Sequence, residues 1–427
     1  MFNNNVIQSD DYLEDQPGVI WLNADINFVL VNCSFKKHRT RSTYDAIILT
    51  VNGNNKPTIT FESCEFIYCS NDATQSLVKL KNNIKTVRKN FLTMQTSSAT
   101  IEMNDNTFTD VALTDEYFIH IHHSSKSIQV SRNTFSKFTM SGTSEKNCGG
   151  IATFFQNPSS GTSSVFTLVY DHCTFVDIQN ERTNGGSSSY GGAIQFGFGN
   201  YLTSLHVTIS NCFFKGNKAY KHGGALAIQT SGNVIIKNCT FENNIANNKQ
   251  STSLNLLDEK EEGRGGAIYL NPLFTSNSMN KKMASATIED CKFSKNVAFG
   301  GYAIYIDGNS DTTAFTITGN KFFNNYGENS EEQSKHGAID SETLSIGIEK
   351  IENENDFSVI ENGSGSKLLV HVNSSGDALP GPTSTPRATQ PPTPTPIANT
   401  SPDFIDKYYE GNNYTSQIQL GINNTKQ

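Results

Sequence analysis

Apolar residues are scarce in this chain of 427: only 36% are hydrophobic, and mean hydropathy is −0.43. That is below the usual globular share. No stretch approaches the roughly 20 consecutive apolar residues of a membrane-crossing helix. Residues 1–18 lack the apolar core of a secretory signal. A basic excess is missing too: the net charge is −8, which argues against a nucleic-acid partner. The eight cysteines show no C-x-x-C pair and no zinc-type spacing, so no metal or other cofactor is expected. Aromatics are plentiful, with 27 Phe and 15 Tyr, too many for a disordered chain. A core therefore exists, and it is narrow or elongated.

A short pattern recurs along the chain: Cys or Asn, any residue, then Phe. The copies are Cys33/Phe35, Cys64/Phe66, Asn106/Phe108, Asn133/Phe135, Cys173/Phe175, Cys212/Phe214, Cys239/Phe241, Cys291/Phe293, Asn320/Phe322 and Asn355/Phe357. Apolar residues recur five and seven positions before the Phe, as in Met103 and Ile101 or Ile209 and Val207, with a polar residue between. This alternation of period two marks a half-buried strand. The inward set changes phase before the Cys/Asn, which requires a one-residue corner. Asn32, Asp105, His172, Asn211, Asn238, Asp290 and Gly319 stand there, and most are types that tolerate the left-handed backbone region. In the tenth copy the flank fails, with Lys350 and Glu352 at the apolar positions.

A second motif interleaves: Gly191-Gly192-Ala193-Ile194, Gly223-Gly224-Ala225-Leu226 and Gly265-Gly266-Ala267-Ile268, with looser copies at Gly300-Gly301 and His336-Gly337. The residues after it alternate as another inward strand. Fixed strands joined by variable connections describe a solenoid. The expected fold is all-β, a right-handed parallel β-helix over 18–370, with the Phe and the Cys/Asn positions as its structural ladders. A polar tail over 1–17 precedes it, and a Pro/Thr/Ser-rich stalk (371–402) and a disordered polar tail (403–427) follow.

Gly-Gly-Ala-Ile alternating with Phe-x-x-Asn (Phe214/Asn217, Phe241/Asn244, Phe293/Asn296, Phe322/Asn325) resembles the repeat of chlamydial polymorphic membrane proteins. Similar repeats occur in surface proteins of parasitic protists. The resemblance implies a β-helical passenger displayed outside the cell and associated with adhesion. That family's C-terminal outer-membrane barrel is missing here, so autotransport is not implied. The motifs specify fold better than function.

Eight of the twelve prolines fall between Pro380 and Pro402, and Pro with Thr at that density suits a semi-rigid stalk. Asn362, Asn373, Asn399, Asn413 and Asn423 begin Asn-x-Ser/Thr sequons and are the candidate glycosylation sites. A β-helix on such a stalk is expected at a cell surface or outside the cell, if the chain is part of a longer product. Its expected partners are host glycans or proteins, and an open strand edge would invite end-to-end self-association.

An enzyme of the polysaccharide lyase or hydrolase kind is the alternative. It needs clustered carboxylates beside a basic residue on one strand face, and no coil presents two at strand spacing. The expectation is a non-catalytic protein. Asp258-Glu259-Lys260-Glu261-Glu262 reads as a solvated loop. His120 and His122 share one strand face but lack further metal ligands. His172, His222 and His336 read as polar corner residues. The ladder cysteines read as small apolar filler, with Cys69 and Cys148 the candidates for exposed or paired thiols. Lys79, Lys81, Lys85, Arg88 and Lys89 form a candidate polyanion patch.

Overall fold

The computed structural model describes residues 6–7, 20–23, 28–36, 47–51, 58–67, 92–96, 100–114, 119–122, 127–141, 152–155, 166–181, 190–196, 205–230, 232–246, 263–271, 273–276, 279–307, 314–327, 337–341, 348–359 and 370–372. All of them belong to one compact unit, Met1–Glu361 with Ser366–Pro382. A second unit, Asn362–Gly365 with Thr383–Gln427, lies outside the described residues.

The alternating flank forms a nine-stranded sheet from Phe28–Val31 to Ala314–Thr318, each strand parallel to the next in chain order. The positions seven and five before the Phe point inward: Ile101 and Met103, Leu168 and Tyr170, Val234 and Ile236 are all buried. The Phe strands form a second sheet, whose main path runs in chain order from Val6–Ile7 to Asp356–Val359. Four two-residue strands branch from it: Lys218–Ala219, Ile245–Ala246, Val297–Ala298 and Tyr326–Gly327. A third set of strands comprises five in the first part of the unit, from Ile20–Asn23 to Ala152–Phe155. Six more form a sheet from Ile194–Phe196 to Val370–Val372, and the first four of them follow the double glycines. Ala152–Phe155 lies against Ile194–Phe196. Among the described strands only the hairpin Leu273–Ser276 with Met279–Lys282 is antiparallel.

The repeated Phe stack from rung to rung. Phe108, Phe135, Phe175, Phe214, Phe241, Phe293, Phe322 and Phe357 form one column with centroid spacings of 4.7–5.0 Å and neighbouring planes within 8°. That spacing is the distance between hydrogen-bonded strands. Every ring of the column is buried. Phe135 touches Phe108 and Phe175 on its two faces, and the edge of the Tyr170 ring closes on Phe175 at 5.8 Å. For Phe35 and Phe66 the backbone register continues the row, Phe35 opposite Phe66 and Phe66 opposite Phe108.

Both ends of the unit differ from the expected pattern. The tenth flank, where the strand pattern fails, is a helix, Ile348–Glu354. Lys350 and Glu354 are exposed on it while Ile351 joins the core. The helix lies against Ala314–Thr318, the last strand of the first sheet, and so covers an edge that would otherwise be a pairing template. At the other end, Val6–Ile7 pairs with Ser34–Phe35, so the stretch expected as a polar tail contributes a strand. The last strand, Val370–Val372, likewise enters the stretch expected as stalk.

Candidate binding surface

The Phe column lies inside the three sheets. Phe135 and Phe175, 2% and 0% exposed, are core residues like the rest of it and present no face to a ligand. Any binding surface is therefore built from the corners and from the outward positions of the strands.

Each corner leaves backbone groups pointing along the stack, and buried groups of this kind must be paired. The residue before the ladder Cys/Asn is left-handed in nine copies: Asn32, Ser63, Asp105, Arg132, His172, Asn211, Asn238, Asp290 and Gly319, with φ between 52° and 68°. Ser63 and Arg132 adopt it without being favoured types. The corner N–H donates to the next rung, as Asn32 does to the Glu62 carbonyl at 3.0 Å. What remains is the N–H of the ladder residue itself, and the ladder side chain of the following rung accepts it.

Asn106 shows the full pattern. Its Oδ1 accepts from the Cys64 N–H at 2.9 Å, and its Nδ2 donates to the Phe61 carbonyl at 3.0 Å. Asn133, Asn320 and Asn355 repeat it. The cysteines do the same more weakly. The Cys212 Sγ accepts from the Cys173 N–H and the Cys291 Sγ from the Cys239 N–H, both at 3.4 Å. The Cys173 thiol donates to the Val130 carbonyl at 3.2 Å. The expectation of apolar filler is therefore corrected: these thiols are hydrogen-bonding parts. All six, Cys33, Cys64, Cys173, Cys212, Cys239 and Cys291, are buried thiols. Burial pushes the Cys64 thiol up to about 11, which keeps it protonated and inert.

A second corner follows two residues after the Phe, left-handed at Asp110, Lys137, Asp177, Gly216, Asn243, Lys295 and Asn324. The residue after it forms a second ladder: Val111, Phe138 and Ile178 in the early rungs, then Asn217, Asn244, Asn296 and Asn325. Asn244 bridges its rungs, accepting from the Asn217 N–H at 3.1 Å and donating to the Phe214 carbonyl at 3.1 Å. The Phe-x-x-Asn motif carries this signal, though nothing in the sequence alone declares the corner inside it.

The double glycines make a third corner. Gly223 is left-handed at φ 67°, and a Cβ on Gly224 would lie 2.1 Å from the Gly266 carbonyl oxygen of the next rung. On the outer face of the following strands, register aligns Gln195, Ala227, Tyr269, Tyr305 and Asp340, all of them buried. His222 stacks on Tyr269 at 4.7 Å, and Tyr269 stacks on Tyr305 at 6.0 Å. Tyr190 packs against both His222 and Tyr269. The Arg264 guanidinium sits 4.8 Å over the Tyr305 ring, and the Tyr269 hydroxyl donates to Asp307. Burial, with the charges of Arg264 and Lys221 adding, holds His222 down to about 3, so its ring is neutral. Its Nδ1 accepts the Arg264 backbone N–H at 3.2 Å. Burial pushes the Tyr190 hydroxyl up to about 12. His222 is thus a buried member of an aromatic cluster and no simple corner residue, whereas His172 is an exposed corner beside Asp171.

The cluster holds His, Tyr, Arg and Asp, the residue types of acid–base chemistry, yet its groups bond to one another. Elsewhere, register sets His120 between Thr93 and Thr153 and His122 between Gln95 and Phe155. None of these neighbours is an acidic or sulfur ligand. Among the described residues no group of three or more His, Cys, Asp or Glu is placed to hold a metal. The described strand pairs put no two carboxylates side by side. His336, Cys69, Cys148, the acidic loop 258–262, the basic run 79–89 and the sequons at Asn362, Asn373, Asn399, Asn413 and Asn423 lie outside the described residues.

Three parallel faces, stacked in register around a column of Phe and closed by polar corner ladders, define a parallel β-helix repeat protein. The family described as right handed beta helix region matches residues 141–362, more than half of the 427 residues, and the chain belongs to it. No curated protein and no solved structure matches the chain. Among the described residues no helix is long and apolar enough to cross a membrane.

Proposed function

We propose that this chain is a non-catalytic, adhesin-like β-helical protein, displayed at a cell surface or secreted, which binds host glycans or proteins through its exposed strand faces and loops. One observation carries the reading. The described constellation richest in catalytic residue types is closed on itself, with His222 held neutral and the hydroxyl of Tyr269 bonded to Asp307. A general base must instead reach a substrate proton with a pKa near the working pH. Among the described strands, the registers also supply no adjacent pair of carboxylates for glycoside chemistry. The likeness of the Gly-Gly-Ala-Ile and Phe-x-x-Asn motifs to the repeats of chlamydial polymorphic membrane proteins supports display and adhesion in the same direction.

The test is surface immunolabelling of intact, unpermeabilised source cells, with binding of the purified full chain to host cells measured alongside. Surface signal with saturable binding is the expected result. Labelling only after permeabilisation, with no binding, overturns the reading; cleavage of an acidic polysaccharide by the pure chain would replace it with the enzyme alternative.

A further inference from the structure

On several rungs, an outward lysine is matched by a carboxylate. Lys137 meets Asp110 at 3.7 Å, Lys215 meets Glu242 at 3.2 Å, and Lys237 meets Glu289 at 2.6 Å. The second sheet departs from this on two successive rungs. Lys292 and Lys321 stand directly opposite each other in parallel register, both exposed. Lys295, also exposed, occupies the left-handed corner of the first of those rungs. None of the three has an ion-pair partner among the described residues. Like charges directly opposite on paired strands are destabilising, so the arrangement is not explained by the fold's own stability.

Aromatic surface lies among them. The Lys292 ammonium sits 5.5 Å over the Phe323 ring, and Tyr326, on the same rung as Lys321, is 39% exposed. Nearby carboxylates are Asp290, exposed at the corner two residues before Lys292, Glu242, held by Lys215 and by the Asn243 amide, and Asp356, which faces Lys321 in register on the last rung. Two lysine charges at rung spacing and a third three residues along the rung of Lys292, beside exposed aromatic surface and on a chain of net charge −8, make a local basic patch.

We propose that Lys292, Lys295 and Lys321, with Tyr326 at their flank, form a binding site for an acidic polysaccharide, a chain carrying sulfate or carboxylate groups at regular intervals. The site rests on the binding reading above and names its ligand class. Extended acidic glycans present charges at intervals that a pair of lysines on successive rungs and a third beside them can meet together, and their sugar faces pack on aromatic rings. Ammonium groups on flexible stems suit such point-charge recognition, and the interaction weakens with salt.

The experiment measures binding of the full chain to heparin and to uncharged dextran by calorimetry at low and high salt. A triple variant, Lys292→Gln/Lys295→Gln/Lys321→Gln, is compared with one altered only in the other basic run, Lys81→Gln/Lys85→Gln/Arg88→Gln. The expected result is salt-sensitive heparin binding, no dextran binding, and a loss of at least tenfold in the first variant alone, with its melting temperature unchanged. No heparin binding, an equal loss in the second variant, or equally tight binding of single-stranded RNA each overturns the site. Heparin indifference in a chain that still binds host cells overturns the site alone. If host-cell binding is absent as well, the broader reading falls with it.

Discussion

At Cys291 one side chain serves three backbone groups: its Sγ accepts the Cys239 N–H and lies within reach of the Glu289 and Ile236 carbonyls at 3.3 and 3.7 Å. Asn at this position does the same work with stronger partners, as the neighbouring Asn320 shows. The ladder alternates two residues with little in common except small size and a paired donor and acceptor. Replacement of Cys291 by Asn is therefore expected to change stability by less than about 1 kcal/mol. Val, of similar volume, orphans the Cys239 N–H and is expected to cost about 1–3 kcal/mol. Urea unfolding of the two variants checks the difference, and equal costs would refute the hydrogen-bonding role.

His222 supplies the pH dependence. Its folded value of about 3 lies below the unfolded value of about 6.5. Below pH 6.5 the unfolded chain takes up a proton that the folded chain refuses. Stability therefore falls as pH drops from about 6.5 toward 3, at about 1.4 kcal/mol per unit. Between pH 7 and pH 5, wild type is expected to lose about 2 kcal/mol more than His222→Gln. Equal losses in urea titrations at the two pH values would show that the ring is not buried neutral.

Among the elements, the Phe strand is the most informative. Phe241 is fully buried between Phe214 and Phe293, 4.9 and 5.0 Å from them. Its truncation to Ala removes core contacts on two sides, and a loss of about 3–5 kcal/mol is expected by thermal or denaturant unfolding. A variant that melts like wild type would place the Phe outside the core. This element was legible in the sequence, because period-two flanks and a fixed Phe leave one arrangement. The first corner was legible as well, through Asn and Asp before the Cys/Asn. The second corner was harder to read: Lys137 and Lys295 adopt it although nothing in a lysine favours the left-handed region. Their conformation is set by the ladder that follows and by the strands on either side, not by local preference. The helix at Ile348–Glu354 was visible only as a failed strand, since Lys350 and Glu352 break period two without declaring another. The aromatic cluster was hidden for a different reason. His222, then Arg264 with Tyr269, then Asp307 come from three successive rungs, and only stacking brings them together.

On the scale of the whole described unit, parallel strands begin well before the family match at residue 141. The rungs of Phe108, Phe135 and Phe175 carry Val111, Phe138 and Ile178 where later rungs carry Asn. They keep the column of Phe and the first corner, which suffices to continue the first two sheets without the Phe-x-x-Asn motif that marks the later repeats. The lysine patch belongs to this scale too, because its charges are unremarkable singly and become a surface only when two rungs are laid in register.

The alignment of these hydrogen bonds has a mechanical consequence. Backbone bonds between rungs, and the Asn and Cys ladders beside them, all run in the stacking direction. A tether that pulls across the rungs loads many bonds in shear together. One that pulls along the stack puts each inter-rung interface under tension, and the weakest gives way before the rest. Attached to a cell at one end and to a ligand at the other, such a protein would yield in steps from its least secured rung. It would lengthen under load while the remaining rungs held their register.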